Sequence, residues 1–373
     1  MNILFYLTRY PGIGGIENVT NIIASRLQMD NEISIISHIQ SLDVLPLVSV
    51  RLFQMPNSNE WCAKENLEYA MGVMESQHFD VIIYQDSYAP TETIVCQMVK
   101  EYNVPLYVFE HNSPLFVYNK RTLDPITTSK GILRRLLHPF ILHREVNRKR
   151  YLLSHAKKYI LLSKQFIPEF CKLIDVDVND ERITYINNPA LPIELDTCIK
   201  KENVILCVSR LAREKCVDKI LTMWWSLSCQ LTEWRLVIVG DGPERLKLEA
   251  MVSKNNIPRV EFIGFASPIP YYQKAKMFWM TSKFEGWGMT LIESMQQGCV
   301  PVVFQTFSSA KDIISSGYNG FLIEPNNWSE YQNRTLELAN DEHMRTCMAE
   351  RGIEAVRDFS IDKILYQWEK LLK

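Results

Sequence analysis

The chain has 373 residues, 47% of them hydrophobic and 23% charged, with a formal net charge of -2. That length exceeds one comfortable core and points to two domains, and the composition excludes a disordered, collagen-like or disulfide-scaffold chain. The near-neutral balance removes any global electrostatic reason to expect nucleic acid.

In chain order, the first strand is expected at residues 3–7. The apolar run that holds it is too short for a signal peptide, and Arg9-Tyr10-Pro11-Gly12 closes it as a turn. Gly12-Ile13-Gly14-Gly15-Ile16-Glu17 follows, just before a helical pattern at 18–28. The dinucleotide fingerprint G-x-G-x-x-G is absent, since Asn18 stands near the third glycine's place. What remains is a bare loop at a helix start, either a plain turn or a contact point for a phosphate or sugar. Further strands are expected at 33–37, 81–85, 106–109, 159–162 and 183–186, with amphipathic helices at 67–76 and 91–102.

Phe109-Glu110-His111-Asn112 ends one of those strands in a polar cluster. His111 is either a satisfied structural group or a substrate contact on the edge where such sheets bind ligands. The segment from Lys130 to Arg150 is basic and apolar at once. Ile132, Leu133, Leu136, Leu137, Phe140 and Ile141 repeat at helical spacing, flanked by Arg134, Arg135, Arg144, Arg148, Lys149 and Arg150, and Pro139 should kink or interrupt the helix. Two readings stay open: a packed helix with a solvated basic side, or a surface helix that meets anionic lipid. Asp175-Val176-Asp177 resembles a metal-binding acid pair, but its polar turn context makes it a coincidence, and no metal is expected.

Residues 187–202 carry two prolines and no periodicity. The expected division is a first domain at 1–187, a linker at 188–202 and a second domain at 203–373, with the last helix a candidate to return to the first domain. Second-half strands are expected at 204–208, 236–239, 260–263, 277–280, 300–304 and 321–323. Strand–helix alternation implies α/β architecture, with two doubly wound parallel-sheet domains whose ligand loops face across a cleft. No run approaches the length of a spanning helix, and nine scattered cysteines without a Cys-x-x-Cys pair suit reduced thiols. A cytoplasmic protein is expected, with at most peripheral membrane contact.

Three motifs of the second half carry chemistry. Ser209-Arg210-Leu211-Ala212-Arg213-Glu214-Lys215 ends a buried strand, where Arg210 and Lys215 can clamp a diphosphate. Gly240-Asp241-Gly242-Pro243-Glu244 reads as a structural turn into a helix, with Asp241 as its cap. In 282–303, Glu285 and Glu293 lie eight positions apart around Gly286 and Gly288, with a helix expected at 289–297. Its free amides and dipole suit a phosphate, and the two acids can hold hydroxyls on either side, which describes a nucleotide sugar.

Taken in order, Gly14-Gly15-Ile16-Glu17, His111, Asn188-Pro189, Arg210 with Lys215, Gly240-Asp241-Gly242-Pro243, Phe262-Ile263-Gly264 and Glu285-x7-Glu293 resemble the retaining glycosyltransferases of family 4, which have the GT-B fold. The resemblance implies that Arg210 and Lys215 neutralise the donor diphosphate. The backbone of Gly286, Gly288, Met289 and Thr290 would cradle donor sugar and phosphate, with Glu285 near the sugar and Glu293 on the ribose. Gly264 would line the base, Gly15 would lie near the diphosphate, and His111 would touch the donor sugar. It implies no cofactor beyond the nucleotide-sugar co-substrate, for instance a UDP-sugar, and a saccharide or lipid-linked saccharide acceptor. Departures are Cys216 where glycine usually follows the lysine, Phe307-Ser308-Ser309 in a commonly glycine-rich loop, and Asp312 for a common Glu. The competing readings are a nucleotide-sugar epimerase, for which the chain shows no acid/base set beyond His111, and a catalytically silent partner subunit, against which the four intact residues Arg210, Lys215, Glu285 and Glu293 argue.

Overall fold

The computed structural model describes residues 1–12, 14–41, 50–121, 123, 127–195 and 198–373. Ile13 of the glycine loop and residues 196–197 of the expected linker lie outside them. Contacts divide the chain into two units, Met1–Pro189 with Ile361–Lys373, and Ala190–Ser360. Residues 190 and 191 of the expected linker are bonded within the second unit: Gln296 Nε2 donates to Leu191 O (2.8 Å) and Ala190 N to Phe359 O (2.7 Å).

The first unit is built on strands β1 (Asn2–Arg9), β2 (Glu32–Ile39), β3 (Arg51–Gln54), β4 (Val81–Tyr84), β5 (Leu106–Glu110), β6 (Lys158–Leu161) and β7 (Ile183–Tyr185). They form one parallel sheet in the order β3-β2-β1-β4-β5-β6-β7. Its central strands are apolar throughout because helices cover both faces of such a sheet; Ile3 to Leu7 are essentially fully buried. The four-residue strand β3 was not legible in the sequence. It is an edge strand, Arg-Leu-Phe-Gln, without a buried residue, so no apolar run announces it.

Helices α1 (Gly15–Leu27), α2 (Lys64–Ser76), α3 (Glu92–Tyr102), α4 (Phe116–Lys120), α5 (Ser129–His155) and α6 (Phe166–Ile174) fill the connections. Trp368, near the C-terminus, stacks flat on Phe109 with centroids 4.2 Å apart and planes at 7°, and Tyr107 Oη donates to Leu371 O at 3.0 Å. These contacts hold the last helix against the first unit's sheet.

Pro139 does not interrupt the basic segment: helix α5 continues through it as one 27-residue helix. A second expectation fails. Lys149 and Arg148 are not part of a solvated basic side. Lys149 is fully buried against the fully buried Glu110, with Nζ 2.6 Å from Oε2, and lies 3.3 Å from Glu145. Arg148 pairs with Glu145 and donates to Tyr88 O at 2.7 Å, and Tyr159 Oη donates to Glu110 at 2.5 Å. A charge this deep persists only when paired, so the acid at the end of β5 dictates which basic residues of α5 turn inward.

The second unit carries β8 (Glu202–Val208), β9 (Arg235–Val239), β10 (Val260–Gly264), β11 (Ala275–Met280), β12 (Val300–Phe304) and β13 (Phe321–Ile323), parallel in the order β10-β9-β8-β11-β12-β13. Helices α7 (Val217–Leu227), α8 (Arg245–Lys254), α9 (Ile269–Lys274), α10 (Met289–Gln296), α11 (Ala310–Ile313), α12 (Trp328–Asn340) and α13 (Glu342–Val356) cover it, while α14 (Ile361–Leu372) is the helix that joins the first unit. Its core gathers Trp224, Trp279, Tyr331 and the β-branched residues of β8, β9 and β12. Asp241 does not cap α8. Glu244 holds that position without a side-chain capping bond, and Asp241 accepts from Gly242 N (2.7 Å) and pairs with Arg245 (3.1 Å). The chain approaches Ser209 too closely for a side chain here: a Cβ on Gly240 (φ 132°) would lie 2.0 Å from Ser209 O.

Replacing Lys149 by Met should leave the Glu110 carboxylate buried without its cation and destabilise the first unit by roughly 3–5 kcal/mol in denaturant titration. The double replacement Glu110→Leu with Lys149→Met should recover much of that loss, since an apolar pair leaves no orphan charge.

Candidate functional site

In each sheet the strand order reverses once, and the loops that diverge there leave a crevice at the strands' C-terminal ends. In the second unit that point lies between β8 and β11, paired through Ile205↔Met277 and Leu206↔Phe278. The loop after β8 holds Arg210 and Lys215, and the loop after β11 holds Glu285. Lys283 N donates to Glu214 O at 2.7 Å, and Thr281 Oγ1 reaches Lys215 O and Cys216 O at 3.2 and 3.1 Å. These bonds bring Lys215 Nζ to 2.6 Å from Glu285 Oε1, with the side chains only 21% and 14% exposed. The backbone at Cys216 is left-handed (φ 53°, ψ 38°), a conformation glycine adopts freely and cysteine at a cost of about 1–2 kcal/mol. Arg210 is not drawn into this pair. Its side chain is 69% exposed and bonds Glu214 at 2.6 Å.

Helix α10 starts at Met289 from Gly288, whose φ of 90° turns the chain into the helix, and no side chain caps it. The first amides, at Met289 and Thr290, therefore have no intrahelical acceptor and carry the positive end of the dipole. The preceding loop is pinned from inside. Trp287 is buried edge-on to Phe359 (5.1 Å, 83°), and Ser309 Oγ donates to Gly286 O at 3.1 Å. Phe307 lies 3.6 Å from where a Cβ on Gly288 would stand, so the Phe-Ser-Ser segment supports this loop with side chains.

Glu293, one turn into α10, is 7% exposed and accepts from Tyr272 Oη at 2.9 Å. Burial raises its carboxyl above the ordinary range, and the Tyr272 bond partly counters that. Gly264 closes β10 with φ 87°, and its carbonyl accepts from Gly240 N at 2.8 Å. Glu285, Gly286, Gly288, Met289, Thr290, Glu293, Lys215 and Gly264 thus all belong to strand-end loops, or to the helix following one, in the same unit.

The remaining expected residues belong to the first unit. His111 follows β5 and shares a hydrogen bond with the fully buried Gln85; desolvation lowers its imidazole to about 4, so it is neutral at working pH. Gly15 opens α1 into free space. The carboxylate of Glu17 lies against this helix start, close enough that a Cβ on Gly14 would be 2.3 Å from Oε2. Burial raises Glu17, and Asp86 at the end of β4 adds to that. An anion arriving at α1 therefore meets an acid already there.

Two residues with evident work in the site gave no signal in the sequence. Tyr272 lies in an apolar helix beside Tyr271, and nothing in spacing distinguishes the two. Lys201 reads as part of a solvated Lys-Lys-Glu run, yet its Nζ donates to Tyr272 O (2.8 Å), Ala275 O (2.9 Å) and Gln297 O. Asp175 and Asp177 shape the turn after α6: Asp175 is its left-handed C-cap, and Asp177 accepts from Asn179 N at 2.8 Å.

With this geometry in hand, residues 197–355 match the family model described as "Glycosyl transferases group 1". That match covers less than half of the chain, and over those residues the chain is similar to the family. An uncharacterized glycosyltransferase of Haemophilus influenzae is 30% identical over 198 residues, 51% of this chain and 55% of that protein. The Campylobacter jejuni GalNAc-alpha-(1->4)-GalNAc-alpha-(1->3)-diNAcBac-PP-undecaprenol alpha-1,4-N-acetyl-D-galactosaminyltransferase is 29% identical over 197 residues, 52% of this chain and 55% of that one. The chain thus spans about half the length of the relatives it matches. The crystal structure of Anabaena HepE in complex with UDP superposes with a TM-score of 0.76 at 19% identity, covering 100% of this chain and 99% of that one. The fold is GT-B, two Rossmann-like parallel-sheet domains. The matched residues fall within the unit that holds the Lys215–Glu285 pair and α10.

The raised carboxyl of Glu293 has a consequence for stability. A group whose folded pKa is raised supports the fold below its ordinary pKa, and that support is lost as pH rises through the raised value. Glu293→Gln should therefore raise the melting temperature at neutral pH by roughly 2–4 °C. The gain should vanish in thermal scans taken below the ordinary carboxylate range.

Proposed function

We propose that the protein is a retaining glycosyltransferase that moves a sugar from a nucleotide-sugar donor, such as a UDP-sugar, to a saccharide or lipid-linked saccharide in surface polysaccharide assembly. The observation that carries this reading is the 2.6 Å Lys215–Glu285 pair placed just ahead of the uncapped start of α10. A departing diphosphate needs a fixed cation and preorganised amides, and both are present on neighbouring loops. Lys215 would exchange its contact with Glu285 for the donor phosphates, with Arg210 swinging from the exposed Glu214 pair as a second cation. Freed from Lys215, Glu285 would orient the sugar and stabilise positive charge at its anomeric carbon. The acceptor hydroxyl would bond to the anomeric carbon on the face from which the phosphate departs and give its proton to that phosphate, so that configuration is retained. Glu293 would hold the ribose hydroxyls and Gly264 would line the base. His111, neutral, would donate a hydrogen bond to the donor sugar rather than act as a cation. HepE bound to UDP and the Campylobacter enzyme named for a diphospho-undecaprenol acceptor support the donor and acceptor classes.

A lipid-linked acceptor asks for membrane contact. Ile132, Leu133, Leu136, Leu137, Phe140 and Ile141 form one stripe of α5 and are 44–72% exposed, so this half of the helix is a surface face and not a packed one. Lys130, Arg134, Arg135 and Arg144 flank it, which suits an anionic lipid surface. Arg148 and Lys149 are spent on buried acids and take no part. Among the described residues, no helix is long and apolar enough to cross a membrane.

A panel of nucleotide sugars scored for binding, slow donor hydrolysis and transfer tests the reading. Lys215→Ala should lower kcat by about 100-fold or more with the preferred donor, and Glu285→Ala should do likewise. Unchanged transfer in both variants would remove these residues from the reaction.

For the surface part, Leu136→Ser with Phe140→Ser should abolish co-sedimentation with anionic phospholipid vesicles while leaving hydrolysis of soluble donor intact. Undiminished sedimentation would exclude this face as the contact.

A further inference from the structure

We infer that Tyr272 is a positioning residue for the donor, holding the Glu293 carboxylate in a single orientation for the ribose hydroxyls, and that Lys201 locks Tyr272 in place from behind. This rests on the proposed reading of Glu293 as the nucleotide anchor.

Glu293 is an expensive residue to bury, and among the described residues only Tyr272 is bonded to its side chain. Tyr272 is itself fully buried, packs its ring against Phe278 at 6.2 Å, and gives its hydroxyl to Glu293 Oε2. Burial and the neighbouring carboxylate push the phenol well above its ordinary pKa, so it stays a donor at every working pH. One carboxylate oxygen is thereby occupied, leaving Oε1 for a ligand. A ribose offers two adjacent hydroxyls to such an acid, and a carboxylate held by one strong donor meets them without losing rotamer freedom on binding.

The backbone behind this pair is clamped. Lys201 Nζ donates to Tyr272 O at 2.8 Å, to Ala275 O at 2.9 Å and to Gln297 O, the C-cap of α10, while the Cys299 thiol donates to Tyr272 O at 3.2 Å. One ammonium thus ties the end of α9 to the end of α10 and fixes the spacing from which Tyr272 and Glu293 meet. The ammonium also faces the negative end of the α10 dipole. The titratable groups around the pair are Lys201, lowered by burial, and the thiols of Cys207 and Cys299, both raised by burial, Cys207 to about 12, and so neutral.

The test measures binding of UDP and the other nucleoside diphosphates by calorimetry from pH 5 to 8 in the parent, Tyr272→Phe and Glu293→Gln. Phenylalanine keeps the ring and its packing and removes only the hydroxyl. Tyr272→Phe should weaken the preferred nucleotide about tenfold. It should also move the acidic limb of affinity to higher pH, because Glu293 loses the bond that lowers its carboxyl. In turnover the loss should fall on donor KM, with kcat within about twofold of the parent, as expected for uniform binding. A purely structural tyrosine would leave the acidic limb in place. If Glu293→Gln weakens binding while Tyr272→Phe matches the parent in affinity and pH limb, the positioning role is overturned and the anchor stands. If neither variant weakens binding, Glu293 is not the anchor and the positioning role falls with it.

Discussion

The second unit depends on one topological constraint: a parallel sheet sends every strand's C-terminal end to the same edge, and its order reverses once, between β8 and β11. Loops from the two strands flanking that point must diverge, and the residues at their roots become neighbours although about 70 positions separate them in sequence. Lys215 and Glu285 meet for that reason. The contact is then held by backbone bonds, from Lys283 to Glu214 and from Thr281 to Lys215 and Cys216, so it does not depend on two long side chains finding each other. The same edge presents the start of α10, where uncapped amides face outward because Gly288 ends the loop without a side chain.

Both units hold acids and bases in places that burial alone would forbid. In the first, Glu110 and Lys149 neutralise each other with no exposure at all, and that pair fastens the C-terminal half of α5 to the sheet. Its N-terminal half presents apolar side chains to solvent, so one helix is divided between anchoring and display. In the second unit, Glu293 keeps its carboxyl buried against the neutral donor Tyr272, and Lys215 and Glu285 are only partly screened. Groups held this way are poised to change partners when an anion or a set of hydroxyls arrives, a common pattern where function is traded against stability.

Strand positions were largely legible because the central strands of a covered parallel sheet are uninterrupted apolar runs, as in residues 3–7, 81–84 and 300–304. Edge strand β3 was not, since a strand with no buried residue carries no such run. The glycine-bracketed Glu285 to Glu293 stretch was legible because its residue types are unusual for a plain helix start. Tyr272 and Lys201 were invisible for the opposite reason: their types are ordinary at those positions, and only their contacts give them meaning. The expectations that Asp241 caps α8, that Pro139 interrupts α5 and that Arg148 and Lys149 face solvent all came from local rules. A tertiary partner overrode one of them, since Glu110 draws in Lys149 from 39 positions away, while Asp241 with Arg245 and Arg148 with Glu145 are pairs three or four positions apart.

Local pattern by itself determined the alternation of strands and helices, the division into two α/β units and the glycine, arginine, lysine and glutamate motifs of the second half, because these depend on hydrophobic period and residue type. The tertiary structure alone decided which distant polar groups meet: Lys215 with Glu285, Lys149 with Glu110, and Glu293 with Tyr272. It also decided that the apolar stripe of α5 is a surface. Partner choice and exposure arise from packing between residues far apart in the chain, and no local window of sequence contains that information.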